Sequence, residues 1–162
     1  MPPEHLKAVD SSLRLEVAAR IVDEAIALRH KEGLLPLAVA VLDAGGNLVA
    51  FKREDGCGVL RFDIARGKAW AALGMGMSTR MIRDRMAQRP AFQSALAAAS
   101  DGRFIPVPGG VLIVQDGKAI GAVGISGDAS DKDEYCAVAA IRAAGLAADP
   151  SEPNPDWRSA GL

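Results

Sequence analysis

The chain has 162 residues, of which 49% are hydrophobic and 24% charged, and its formal net charge is −1. These values predict one globular domain with a buried core, and the balanced charge argues against a nucleic-acid-binding protein. No apolar run is long enough to span a membrane and the start does not resemble a signal peptide, so we expect a cytoplasmic protein without a membrane partner.

Residues 1–10 are predicted to form a flexible arm. Ser11 or Ser12 can cap the first helix, which runs to about His30 because its apolar residues recur on one stripe. A cation in the last turn and Gly33 after it are typical of a helix end.

A β-hairpin is predicted next. Its apolar runs, Leu37–Leu42 and Leu48–Phe51, flank the segment 43–47, whose two glycines and asparagine tolerate the positive φ of a tight reversal. Three helices follow, from Arg61 to about Met77, at Thr79–Gln88 after a capping serine, and at Ala91–Ala99 after a proline.

A second hairpin joins Val111–Val114 to Ala119–Ile125 through an Asp-Gly turn, and a last helix runs from Ser130 to Ala144. The tail, residues 149–162, holds three prolines and one tryptophan without periodicity, and we expect it to be unstructured. The predicted class is α+β: an antiparallel sheet of two hairpins, with helices packed mainly on one face. The single domain is expected to span residues 11–148.

Several residues are candidates for binding an anionic ligand. Backbone amides at Gly109 and Gly110 could hold a carboxylate, with Lys68 and Arg53 adding positive charge. The alternative is that the glycines only turn the chain before the strand and that Lys68 lies along its helix towards solvent. Asp63 is either a site carboxylate or an ordinary acid at a helix start.

Three loop regions are predicted to converge on one cleft: Asp55–Lys68, Phe104–Gly110 and Ser126–Asp133. Phe104 and Pro106 would form its apolar wall, and Arg53, Asp55 and Ser126 would add polar contacts. The two cysteines fit no CxxC or zinc spacing, and no metal site is predicted. The helical surface rich in alanine and methionine favours a homo-oligomer, although its methionines would also suit a flat apolar ligand.

Four stretches resemble the GlcG/HbpS family, the DUF336 group called haem-degrading or HbpS-like, which includes the C-terminal domain of the corrinoid adenosyltransferase PduO. They are LAVAVLDAGGNLVAFKREDG, DIARGKAWAAL, FIPVPGGVLIVQDGKAIGAVGISG and SDKDEYCAVAAIRAAGL. The resemblance covers roughly Ser11 to Leu146. It implies a profilin-like fold assembled into oligomers of several protomers, and a fifth short strand for which Arg103–Val107 is the candidate.

The resemblance implies two classes of function. As a binding protein, the chain would hold haem, a related tetrapyrrole or a small carboxylate ligand, with His30 as the positional candidate for an iron ligand. As a catabolic enzyme of the isomerase, hydratase or lyase type, it would transform a small carboxylate, with Asp63 as acid/base and Lys68 or Arg53 as anion clamp. Since no catalytic motif is present, the sequence leaves open whether the chain is an enzyme.

Overall fold

The computed structural model describes residues 3–162. Its elements in chain order are α1 (Leu15–Glu32), β1 (Ala38–Asp43), β2 (Leu48–Arg53), α2 (Arg61–Met75), α3 (Thr79–Met86), α4 (Pro90–Ala99), β3 (Gly110–Gln115), β4 (Lys118–Ser126), α5 (Ser130–Ala143), β5 (Ala147–Asp149) and a 3₁₀ turn at Trp157–Ser159.

The five strands form one antiparallel sheet in the order β2-β1-β4-β3-β5, so the predicted α+β class and the two-hairpin sheet are confirmed. Within residues 3–162, no helix is both long and apolar enough to cross a membrane.

The turn chemistry explains the two hairpins. In the first, Oδ1 of Asp43 accepts hydrogen bonds from the amides of Gly45 and Asn47, each at 2.9 Å. In the second, Asp116 and Gly117 adopt φ values of 51° and 72°, which an Asp-Gly pair tolerates. The hairpins join through β1 and β4.

Helices cover both faces of the sheet, so the expectation of one mainly covered face is wrong. Along β1, β3 and β4, valine and isoleucine side chains at every second position pack against α1 and α5, while the intervening positions pack against α2. In β1, the intervening residues Ala38 and Ala40 are small. The alternation of alanine and valine along β1 therefore lets α2 lie close to the sheet.

Glycines allow α2 to approach the sheet closely. A Cβ at Gly124 would collide with the carbonyl of Ala65, and one at Gly110 would collide with the carbonyl of Lys68. Two strands thus meet the backbone of the helix without intervening side chains. This close contact fixes which side chains of α2 point into the sheet and which remain at the surface.

Two local expectations are corrected. Helix α1 begins after Arg14, without a side-chain cap; the hydroxyl of Ser12 instead accepts from the amide of Ala44 and donates to the carbonyl of Ile120. The fifth strand is Ala147–Asp149, which pairs with β3, and not Arg103–Val107. The prolines near 106 keep that segment out of the sheet, as the ladder needs free amides.

The tail is ordered, contrary to expectation. Trp157 is 7% exposed and stacks on Tyr135 of α5, with ring centroids 3.8 Å apart. Arg158 lies over the indole and pairs with Glu32 at 2.7 Å. Because the contacts with Tyr135 and Glu32 join the tail to residues distant in sequence, no periodicity within the tail could reveal them.

Candidate functional site

Lys68 and Asp133 form a buried ion pair at one end of the sheet. Nζ of Lys68 lies 3.1 Å from Oδ2 of Asp133 and donates a 2.8 Å hydrogen bond to the carbonyl of Ile125, and the two side chains are 2% and 1% exposed. Burial lowers the pKa of Lys68 and raises the pKa of Asp133 to about 6, while their mutual attraction opposes both shifts. The ammonium is therefore engaged inside the protein and does not face solvent.

Gly109 and Gly110 lie directly against Lys68. A Cβ at Gly109 would lie 2.9 Å from Nζ, and Gly109 adopts a φ of 119°. The amide of Gly110 donates to Oγ1 of Thr79 at 2.8 Å. The structure thus brings the predicted glycines and lysine together, but in a closed arrangement in which the Gly110 amide already has a partner.

Two of the predicted polar residues, Arg53 and Ser126, make contacts within the protein. Arg61 donates to Oγ of the buried Ser126 at 3.1 Å, and Arg53 donates to the carbonyl of Cys57 at 2.8 Å. Burial raises the pKa of the Cys57 thiol, so this cysteine is not an activated thiolate. Asp55 is exposed on the same loop.

The three predicted loops converge only in part. Phe104 is buried in a separate apolar cluster with Ile82 and Met86, and Pro106 lines a depression of about 210 Å³ beside α4. Asp63 is exposed and faces another depression, described below. The proposed catalytic combination of Asp63 with Lys68 is therefore not assembled within one protomer.

His30 lies in the last turn of α1. Its Nε2 is 3.1 Å from Oε1 of Glu54, and its Nδ1 is 2.9 Å from Nη1 of Arg29. Oε2 of Glu54 accepts from the amide of Leu37 at 2.7 Å, which fixes that carboxylate at the start of β1. The imidazole thus links α1 to the first hairpin. To bind iron through a ring nitrogen, His30 would have to give up its contact with Glu54 or with Arg29.

A surface groove centred on Trp70 was missed by sequence reasoning. Two depressions, of about 260 and 130 Å³, share this half-buried residue in their lining, and we call them together the Trp70 groove. The larger depression is polar and the smaller is apolar. The residues of the polar end are Asp63, Arg66, Gly67, Asp101, Gly102 and Arg103, and those of the apolar end are Gly74, Met75, Leu96, Ala99, Ser100 and Phe104.

The groove floor is one face of α2. Asp63, Arg66, Trp70 and Gly74 recur at helical spacing on the side opposite the buried Ala65, Ala69 and Ala72. The guanidinium of Arg103 lies 4.6 Å from the centre of the Trp70 ring.

Gly67 lets the loop that carries Arg103 lie close to α2. A Cβ at Gly67 would be 2.7 Å from the carbonyl oxygen of Arg103 and would collide with the Ile105 side chain. One wall of the groove therefore depends on the absence of a side chain at a single helical position.

The groove combines two cations with an apolar platform. Arg66 and Arg103 can bind carboxylates, and the indole with its apolar neighbours can contact a flat ring system. The signal that sequence reading could have used is a tryptophan inside an alanine-rich helix, with glycines three positions before and four after it. Within residues 3–162, no group of three or more His, Cys, Asp or Glu side chains is placed to hold a metal ion.

The chain is similar in sequence to one known protein family and to several of its members. The model of the family described as haem degrading protein HbpS-like matches residues 13–142. An uncharacterized 15.0 kDa protein from the dhaT-dhaS intergenic region of Citrobacter freundii is 32% identical over 76% of this chain and 87% of its own length. The corrinoid adenosyltransferase PduO of Salmonella typhimurium is 30% identical over 71% of this chain, which spans only 34% of that protein.

Solved structures share the fold. A complex of PduOC with haem superposes with a TM-score of 0.76 at 25% identity, over 85% of this chain and 98% of that one. HbpS superposes with a TM-score of 0.71 at 26% identity, over 88% and 96% of the two chains. Because the family model covers most of the residues from α1 to α5, the chain belongs to the family described as haem degrading protein HbpS-like.

Proposed function

We propose that the protein binds haem or a related tetrapyrrole in the Trp70 groove. The observation that carries this proposal is the division of the groove into two ends. Arg66 and Arg103 lie with Asp63 and Asp101 at the charged end, and the other end, beyond Trp70, is apolar. A porphyrin has the same division, with a flat apolar macrocycle and carboxylates along one edge. The family description and the haem complex of PduOC support this ligand class.

The residues present fit such a ligand in chemical character. Trp70, Leu96 and Phe104 offer apolar contact, and Arg66 and Arg103 can bind carboxylates. Bound haem would supply an iron centre for ligand binding or redox chemistry, while the chain orients the macrocycle and shields part of it from water. Neither depression encloses a whole macrocycle, so the ligand would span both, and a second subunit of a homo-oligomer would cover its exposed face.

A small carboxylate is the second candidate ligand. The polar end of the groove, of about 260 Å³, places Asp63 in the same depression as Arg66 and Arg103. A small acid held by the arginines would present its carbon skeleton to Asp63, which could then act as an acid/base. In this enzyme hypothesis, Arg66 and Arg103 bind the carboxylate of the substrate in place of Lys68 and Arg53.

Haem titration followed by the Soret band tests the first candidate. We expect stoichiometric saturation, and Arg66→Gln and Arg103→Gln should each weaken binding by roughly threefold to tenfold, because a partly exposed ion pair contributes about 1 kcal/mol. Arg83→Gln is the matched control, since Arg83 pairs with the adjacent Asp84 outside the groove. Unchanged affinity in both groove variants would contradict this site. Binding of small carboxylates without any haem binding would favour the second candidate.

A further inference from the structure

The Trp70 groove contains a sulfur atom suited to iron. Met75, the last residue of α2, is half-buried and lines the apolar end of the groove with Trp70 and Phe104. Within residues 3–162, the side chains that line the two depressions include this one thioether and no imidazole or thiol. A thioether is a soft ligand that haem iron accepts in other proteins.

Both histidines lie away from the groove. His30 lies on α1, which packs on the other face of the sheet from α2, and its ring nitrogens contact Glu54 and Arg29. His5 is exposed in the segment before α1. Met75 therefore lines the groove that would hold haem, and neither imidazole of the same chain does.

The spacing along α2 agrees with a ligand held at both ends. Arg66 and Met75 are nine residues apart, which corresponds to about 13 Å along a helix. Because the side chains of Arg66 and Met75 are long and unbranched, the guanidinium and the sulfur atom can lie closer together than the two Cα atoms. A macrocycle with its carboxylates at Arg66 would thus extend over Trp70 towards Met75.

Resting on the proposed function, we infer that Sδ of Met75 is an axial ligand of haem iron in this protein. The packing around Met75 supports this role, since the side chain lies against a buried cluster that includes Ala71, Ile82 and Phe104. These neighbours restrict the thioether without offering it a hydrogen-bonding partner. Met75 therefore acts on the iron, whereas Arg66 and Arg103 act on the carboxylates.

The test compares haem with iron-free protoporphyrin in the full-length protein. Met75→Leu retains volume and apolar character, so the fold should be preserved. We expect this variant to bind haem roughly tenfold more weakly or worse and to bind iron-free protoporphyrin with unchanged affinity. Met77→Leu is the matched control, because Met77 packs against the same cluster but does not line the groove.

Spectroscopy separates ligation from packing. X-ray absorption at the iron edge of the haem complex should show a sulfur atom bound to iron in the unmodified protein, and Met75→Leu should lose this signal while His30→Ala keeps it. An iron environment or Soret position that responds to His30→Ala and not to Met75→Leu would overturn the inference and leave the proposed function intact. A protein that binds no haem at all would contradict both.

Discussion

The ammonium of Lys68 lies 3.1 Å from the carboxylate of Asp133, although their helices cover opposite faces of the sheet. Lys68 reaches past the end of β4, where it also bonds the carbonyl of Ile125. Asp133 in turn accepts from the amide of Asp128 at 3.0 Å, at the start of α5. One buried pair therefore links both helical layers to the sheet, and its most direct role is structural.

Breaking this pair should destabilise the fold. At neutral pH, Lys68→Met should lower the free energy of unfolding by about 3–5 kcal/mol, because it leaves the Asp133 carboxyl buried without its partner. The double variant Lys68→Met with Asp133→Leu should recover much of this loss, since it removes both charges. Urea denaturation measures each value.

The surface pair of Lys52 with Asp23 is the matched control. Their contact is shorter, at 2.6 Å, but the side chains are 59% and 60% exposed. Lys52→Met should therefore change the unfolding free energy by about 1 kcal/mol or less. If Lys52→Met and Lys68→Met lowered the free energy of unfolding equally, the buried Lys68 pair would contribute no more to stability than the exposed pair.

Stability should also depend on pH through Asp133. Burial raises the pKa of its carboxyl from 3.8 to about 6, so the folded protein holds this proton more tightly than the unfolded chain. The stabilising contribution of the protonated group is complete below pH 4 and is lost as the pH rises from about 4 to about 6. Other carboxyls titrate in this range, so the measurement compares the unmodified protein with Asp133→Asn.

The difference in unfolding free energy between these two proteins should fall as the pH rises across that range, because only the unmodified protein loses the contribution of Asp133. Thermal or urea unfolding at several pH values measures the difference. A difference that is constant from pH 4 to pH 6 would show that Asp133 has an ordinary pKa in the folded state.

The ordered tail gives a third prediction. Trp157→Ala should lower the free energy of unfolding by about 3–5 kcal/mol, because it removes a buried indole stacked on Tyr135. Leu162→Ala is the control, since Leu162 is 83% exposed at the end of the same tail. If Trp157→Ala were as mild as Leu162→Ala, the tail would not be packed in solution as the structure shows.

The sequence allowed the sheet to be predicted because its determinants are local. Asp43 and the glycines that follow it form one turn, Asp116 and Gly117 form the other, and the apolar runs beside them are the four long strands. Strand β5 was missed because three residues, Ala147–Asp149, carry no pattern of their own. It becomes a strand only because the edge of β3 is available to pair with it.

The site was harder to predict because its contacts are distant in sequence. Lys68 and Asp133 are 65 residues apart in the chain. The residues around Lys68 in the sequence therefore do not show whether its side chain is exposed or pairs with a buried carboxylate of another helix. The Trp70 groove exists because the loop carrying Arg103 crosses α2 at Gly67. Residue types and spacing identified Asp63 as a candidate, but the arginines beside it in the groove emerged only from the fold.

A crystal structure of the protein with bound haem tests haem binding in the Trp70 groove most directly. We expect the macrocycle to lie against the indole of Trp70, with its carboxylates at Arg66 and Arg103. A macrocycle bound beside His30, or at the Lys68 end of the sheet, without contact to Trp70 would contradict it.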